Sequence, residues 1–127
     1  LLPTAPFITR ENLIKAFSML EKSEQNIDCV FTVTEYSFPI QRSLKIEDSC
    51  LKMNWPENMK SRSQDLQPMY HDAGQFYFFK TDAFLEQKKL YMDKSYPLIL
   101  SNLEVQDIDT ETDWKLAELK YQIIKKF

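Results

Sequence analysis

Three acids, Asp107, Asp109 and Asp113, surround the point in VQDIDTETDWKLAE (residues 105–118) where an apolar run gives way to a helical pattern. On an extended chain, side chains two apart project the same way, so Asp107 and Asp109 would point together while Ile108 turns inward. Two converging carboxylates with open coordination positions suit Mg²⁺, which prefers oxygen ligands and keeps water or phosphate oxygens in its shell. The pair follows a strand-length run, at the carboxyl end of a sheet element, where open α/β sheets bind ligands. Spacing alone leaves a second reading open. Thr110 with Asp113 three residues on has the form of a capping box, and Asp109 is itself an acceptable N-cap. Asp113 is assigned to capping on either reading.

The elements that must position these acids are legible as periodicities. Trp114, Ala117, Tyr121 and Ile124 recur at helical spacing, with lysines at the end, so a helix is predicted over 111–127. Before the acids, YPLILS (96–101) is an apolar run of strand length. QFYFFK (75–80) is a strong short strand, and Thr81 is expected to cap a helix over 82–90. Thr9 is expected to cap a helix over 10–26, with Leu13, Phe17 and Leu20 on one face and Ile14 widening it. DCVFTVT (28–34) is β-branched and aromatic and predicts a strand. In 35–48, Ile40, Leu44 and Ile46 alternate with Gln41, Ser43 and Lys45, the pattern of a half-exposed antiparallel strand. Residues 49–74 are polar and without clear period, and a long irregular stretch of this kind is usually functional or covered by a partner. The order of elements is α/β.

Composition bounds the rest. A chain of 127 residues is one domain or a piece of one. A net charge of −3 and the lack of a basic stripe argue against duplex nucleic acid as a partner. No apolar run has membrane-span length, and the start lacks the pattern of a signal peptide. Cys29 and Cys50 fit no metal spacing, and a strand-borne thiol reads as buried and free, so a reducing cytoplasm is the expected setting. Gly74 is the only glycine, where average usage gives roughly nine. A nucleotide enzyme needs glycine where backbone approaches phosphate. With the abrupt apolar start LLPTAPF, this leads to the expectation that a glycine-bearing N-terminal part lies outside the sequence.

LLPTAPF, FTVTEYSFPIQRSLKI, RSQDLQPMYHDAGQFYFFK and VQDIDTETDWKLAE, in that order, resemble the acylneuraminate cytidylyltransferases, the CMP-sialic acid synthetases. FPIQR and YHDAGQFY place the resemblance nearest the bacterial pseudaminic acid branch. It implies a three-layer, Rossmann-like nucleotide-diphospho-sugar transferase fold, here incomplete, with a β-rich dimerisation excursion. It also implies a homodimer and Mg²⁺-dependent transfer of CMP from CTP to a nine-carbon α-keto acid sugar in the bacterial cytoplasm. The family's metal-binding Asp-x-Asp falls on Asp107 and Asp109, and its sugar-side Pro-Thr-Ser-Pro loop on Pro3, Thr4, Ala5 and Pro6. Leu2 stands where sialic acid enzymes usually have glutamine, and Ala73 replaces an asparagine; both departures point away from N-acetylneuraminate. Arg62, with Gln64 following, matches the sugar-carboxylate region, while Gly74, Gln75 and Tyr77 match the segment after it, and Arg42 lies near a basic residue that reaches across the dimer.

Each residue has a chemical reason for its role and a plainer alternative. Arg62 can grip a sugar carboxylate bidentately, or simply be solvated. Tyr70 and Tyr77 offer flat apolar area and a hydroxyl, though periodicity favours core packing for Tyr77. His71, the only histidine, sits between Tyr70 and Asp72 beside the glycine, either touching substrate or serving structure. Gly74 permits a positive φ or close ligand approach. Nothing supports a covalent nucleophile, and in-line nucleotidyl transfer assisted by a cation needs none.

The expected organisation is an α/β core over 1–37 and 69–127, interrupted by the dimerisation excursion over 38–68. Pseudaminic acid is the favoured substrate, with N-acetylneuraminate or legionaminate as alternatives. The fragment alone is expected to be inactive and to serve, on a non-catalytic reading, as a dimerisation module.

Overall fold

The computed structural model describes residues 1–22 and 26–126. The chain runs α1 (Arg10–Lys22), β1 (Cys29–Glu35), β2 (Leu44–Glu47), β3 (Cys50–Met53), β4 (Tyr70–Phe79), α2 (Thr81–Gln87), β5 (Ser95–Leu100) and α3 (Glu111–Ile124). Single turns of 3-10 helix lie at Ile40–Arg42, Pro56–Asn58, Ser63–Asp65 and Asn102–Glu104. This is a mixed α/β chain with two small sheets. It divides into two units, Leu1–Thr34 with Asp72–Phe127, and Glu35–His71.

In the first unit β1 is the centre of the order β4-β1-β5. Its β-branched run is buried on both faces, with only Phe31 half-exposed before Glu35, so the sequence reads as a continuous apolar stretch. β5 pairs parallel to it, Thr32 opposite Leu98. The Lys80 N–H, just past β4, donates to the Asp28 carbonyl just before β1 (2.9 Å), which sets β4 antiparallel. Pro97, which cannot donate to a ladder, sits on the outer strand β5. Phe76 is 1 % exposed and forms the core with Ala16, Leu20, Val30, Leu98 and Leu100. Cys29 is buried and free, as expected; burial pushes its thiol up to about 11 despite a hydrogen bond with Ser95.

Thr9 caps α1, its Oγ1 accepting from the Asn12 N–H (3.2 Å). The buried stripe of α1 is Ala16 and Leu20, with Leu13 packed beside them. Ile14 and Phe17, expected on that face, are exposed, although the Phe17 ring still lies 6.0 Å from Phe78. Residues 23–25 of the predicted helix lie outside the described ones, as does Phe127 of the last helix. α2 begins at Thr81 with Lys80 as its N-cap, and stops at Gln87 because Lys88 takes the left-handed conformation (φ 50°) and closes the end on the Phe84 carbonyl. Thr81 is therefore the first helical residue and not the cap, and the helix does not reach Leu90.

α3 starts where the sequence places it. The Thr110 side chain accepts from the Asp113 N–H, and the Asp113 carboxylate accepts from the Thr110 N–H and hydroxyl. These bonds, the Thr110 hydroxyl foremost, hold the Asp113 carboxyl below its usual range. Thr110→Ala is expected to lower unfolding stability by ~1 kcal/mol in urea titrations. Because the Asp113 pKa is depressed in the folded state, its contribution is present above its unfolded pKa and lost as pH falls through the folded value. The gap between Thr110→Ala and wild type should therefore narrow in acid.

The second unit differs from expectation in detail. Ile40 lies in a 3-10 turn instead of a strand, and β2 pairs antiparallel with β3, inside the stretch expected to be irregular. The loop between Glu47 and Cys50 is Asp48–Ser49, both at positive φ (52° and 62°), the backbone of a tight two-residue hairpin turn. Leu44, Ile46 and Leu51 on this hairpin are exposed. Strand β4 also begins earlier than predicted, at Tyr70.

Candidate active site

The acids expected to act lie on a segment that follows β5 through the Asn102–Glu104 turn. That turn is closed by a capping box in which Ser101 and Glu104 bond reciprocally. Burial raises the Glu104 carboxyl, but bonds from Ser101, the Asn12 amide and nearby Lys15 outweigh it, and the net shift is downward. Val105 then returns to extended backbone (φ −120°, ψ 121°). Its carbonyl accepts from the Lys120 amine of α3 at 2.6 Å, so the acid-bearing segment is tied to the helix that follows it. Burial lowers the Lys120 pKa.

Asp107 and Asp109 are exposed, and Ile108 between them is half-buried, lining an apolar groove with Phe7, Trp114, Ala117 and Tyr121. Burial thus alternates along 107–109 as the sequence predicts. Capping belongs to Asp113, whose carboxylate also accepts from the Asp109 backbone N–H (3.3 Å); neither Asp107 nor Asp109 is a helix cap.

Gly74 brings a second motif to the acids. It adopts φ +63° inside β4, a left-handed conformation that marks bulges in strands. A Cβ placed there would lie 3.7 Å from Asp107 Oδ2, so the Asp107 carboxylate occupies the face that Gly74 leaves bare. Any other residue at this φ would be strained by about 1–2 kcal/mol. The amino-terminal loop joins at the next residue, where the Leu2 N–H donates to the Gln75 carbonyl at 2.8 Å. Thr4 is half-buried in the turn that follows, and Ala5 and Phe7 anchor it. Three stretches far apart in sequence thus meet around Gly74.

Gln75 itself is buried, its amide donating to the Glu104 carbonyl at 2.6 Å. Its nitrogen holds the turn before the acids and does not face solvent, since alternation puts it opposite Phe76 and both faces of β4 are covered here. Tyr77 is half-buried beside Phe31, ring centroids 5.3 Å apart. Its hydroxyl and that of Tyr91 both donate to Asp72 Oδ2. Burial first, then Asp72, raises the Tyr77 phenol far above its usual pKa, and Tyr91 shifts the same way. Asp72 was not singled out from the sequence. An aspartate two residues before a glycine is the signal that was available, the form of an Asx turn.

Arg42, Arg62, Gln64, Tyr70 and His71 belong to the second unit. There Tyr36, Phe38, Arg42, Ser63 and His71 line an open groove of about 630 Å³. The His71 ring lies 4.8 Å from Tyr36, and Tyr70 is exposed. Arg62 forms a bidentate pair with Asp65 (2.8 and 3.2 Å) across an exposed turn, so a ligand carboxylate would have to displace Asp65. Gln64 sits in that same turn.

As a donor set, two exposed carboxylates suit a hard cation that shares its shell with water and phosphate. Among the described residues no three or more His, Cys, Asp or Glu side chains gather into a metal-sized cluster. Nor is any described helix long and apolar enough to cross a membrane.

Fold and site define a mixed α/β chain in which Asp107 and Asp109 are exposed and the Asp107 carboxylate is set against a glycine of the main sheet. No family model matches the chain. Over 121 residues, 94 % of its length, it is 35 % identical to the pseudaminic acid cytidylyltransferases of two Campylobacter jejuni strains. It is 36 % identical over 119 residues to a Helicobacter pylori protein named pseudaminic acid cytidylyltransferase and UDP-2,4-diacetamido-2,4,6-trideoxy-beta-L-altropyranose hydrolase. The resemblance carried by the four motifs is borne out, on the pseudaminic acid branch. The chain spans about half the length of the Campylobacter relatives and 23 % of the Helicobacter one.

Proposed function

We propose that this chain is part of a cytidylyltransferase that transfers CMP from CTP to a nonulosonic acid, pseudaminic acid by preference, with release of pyrophosphate. The observation that carries the reading is the joining of three family motifs around Gly74, in a chain 35 % identical to enzymes of that name over 94 % of its length. On this reading the fold is the Rossmann-like, three-layer nucleotide-sugar transferase architecture, and the chain supplies the acid pair and the sugar-side loops.

Asp107 and Asp109 would hold Mg²⁺, which when bound supplies positive charge against the phosphates of the reaction. Gly74 lets Asp107 lie against the sheet, and the Thr4 loop closes the side bonded to Gln75. The anomeric hydroxyl of the sugar attacks the α-phosphate in line, with positioning and charge stabilisation doing most of the catalysis. Arg42, Arg62, Gln64, Tyr70 and His71 of the second unit would serve the sugar acid or the neighbouring subunit. Exposed Leu44, Ile46 and Leu51 support a homodimer through the β2–β3 hairpin, because an apolar strand pair left in water is an association hazard. The setting is the bacterial cytoplasm.

The test is pyrophosphate release from CTP by the full-length protein with pseudaminic, legionaminic and N-acetylneuraminic acids. Pseudaminic acid should give the highest kcat/KM. No release with any of the three would overturn the reading.

A further inference from the structure

The Asp72 carboxylate accepts hydrogen bonds from three groups on β4 and the loop before β5, and the reaction as derived makes no use of it. Its Oδ1 accepts from the Gly74 backbone N–H at 2.8 Å, closing an Asx turn that bridges two residues. Its Oδ2 accepts from the hydroxyls of Tyr77 and Tyr91, the latter at 3.0 Å. Both phenols are themselves fixed by the Phe31 ring, which lies 5.3 Å from Tyr77 and 5.2 Å edge-on from Tyr91. One carboxylate is therefore held by two phenols on one oxygen and holds a left-handed glycine with the other. On the bare face of that glycine lies the Asp107 carboxylate.

We infer that Asp72 is a positioning residue for the cation site: by bonding the Gly74 N–H it fixes the left-handed bulge against which Asp107 rests, and Tyr77 and Tyr91 fix Asp72 in turn. The inference rests on the reading of Asp107 as a metal ligand and extends it to Asp72, Tyr77 and Tyr91. Glycine takes either hand of backbone with little preference of its own, so a contact from outside must select the left-handed form within a strand. Here the selecting contact is the Asp72 side-chain oxygen on the Gly74 N–H. Without it Gly74 is free to relax to ordinary strand geometry, and the surface under Asp107 moves.

The test measures Mn²⁺ binding to the full-length protein by water-proton relaxation, alongside the Mg²⁺ concentration for half-maximal activity. Asp72→Ala should weaken Mn²⁺ by about tenfold or more, the scale set by outer-sphere partners of metal ligands. Asp72→Asn keeps an oxygen for the Gly74 N–H and should stay within about threefold of wild type, a rescue that loss of general stability would not produce. Tyr91 is largely exposed, so Tyr91→Phe folds even if Asp72→Ala does not, and about threefold weaker Mn²⁺ is expected of it. Mn²⁺ binding lost in Asp107→Asn but unchanged in Asp72→Ala, or in Tyr91→Phe where the alanine variant does not fold, overturns this inference alone. Equal losses in Asp72→Ala and Asp72→Asn also overturn it, since charge and not the bond to Gly74 would then matter. Mn²⁺ binding that survives Asp107→Asn overturns the metal reading and this inference with it.

Discussion

Asp107→Asn in the full-length protein should reduce CMP transfer by on the order of 10²–10³-fold at saturating CTP and sugar, the scale of losing one pre-placed charge-stabilising group. The substitution removes a negative charge from an exposed position and keeps the shape, so the fold has little reason to respond. Asp107 Oδ1 does accept from the Ile108 N–H at 3.1 Å, and the asparagine oxygen can keep that bond. The loss should therefore fall on kcat and on the Mg²⁺ requirement, with an unfolding midpoint close to wild type. Asp113→Asn is the informative contrast. It weakens the α3 cap, and so should lower stability while leaving kcat within about twofold. If the two variants exchanged roles, Asp107 harming stability and Asp113 activity, the division between metal-side and capping acids would be wrong.

That division was open on spacing alone, and the structure explains which half of it the sequence carried. A capping box is local, four consecutive positions with fixed offsets, and Thr110 with Asp113 has that form whatever the rest of the chain does. The same locality makes β1 legible, because burial on both faces leaves a run of β-branched residues. The contact of Gly74 with Asp107 joins positions thirty-three apart, and no pattern in either stretch announces it; only the resemblance placed both in one site. Lys120 on the Val105 carbonyl is a further case, a lysine within a helix like any other until the fold brings a backbone acceptor to it.

The β2–β3 hairpin was missed for another physical reason. Hairpin turns with both central residues at positive φ are normally signalled by Asn-Gly or Asp-Gly, and here Asp48–Ser49 adopts that backbone without a glycine. β2 carries the polar–apolar alternation expected of it, yet all four of its residues are exposed. Periodicity identifies a two-faced strand and does not say whether either face meets the core of the same chain. α3 repeats the point, since Ala117 is buried while Trp114 and Tyr121, on the same predicted stripe, are about half exposed.

Phe76→Ala should be the most destabilising single truncation in the first unit, lowering unfolding free energy by about 3–5 kcal/mol. The ring is fully buried in β4, meets Phe78 edge-on at 5.6 Å, and packs in the cluster built by α1, β1 and β5. Its removal leaves a cavity walled by strands on a hydrogen-bonded ladder, which cannot close over the gap as a loop would. Against a typical domain stability of roughly 5–15 kcal/mol, that is a large share of the total. Phe76 also sits two residues from Gly74 on the strand that carries Asp72 and Tyr77, so the same cavity loosens the support of the acid site. Urea unfolding followed by circular dichroism measures the loss, with Leu85→Ala, at an exposed position of α2, expected within about 0.5 kcal/mol of wild type. A Phe76→Ala protein within 1 kcal/mol of wild type would mean that β4 does not pack its Phe76 face against α1 and β5, and the support drawn beneath Gly74 and Asp107 would go with it.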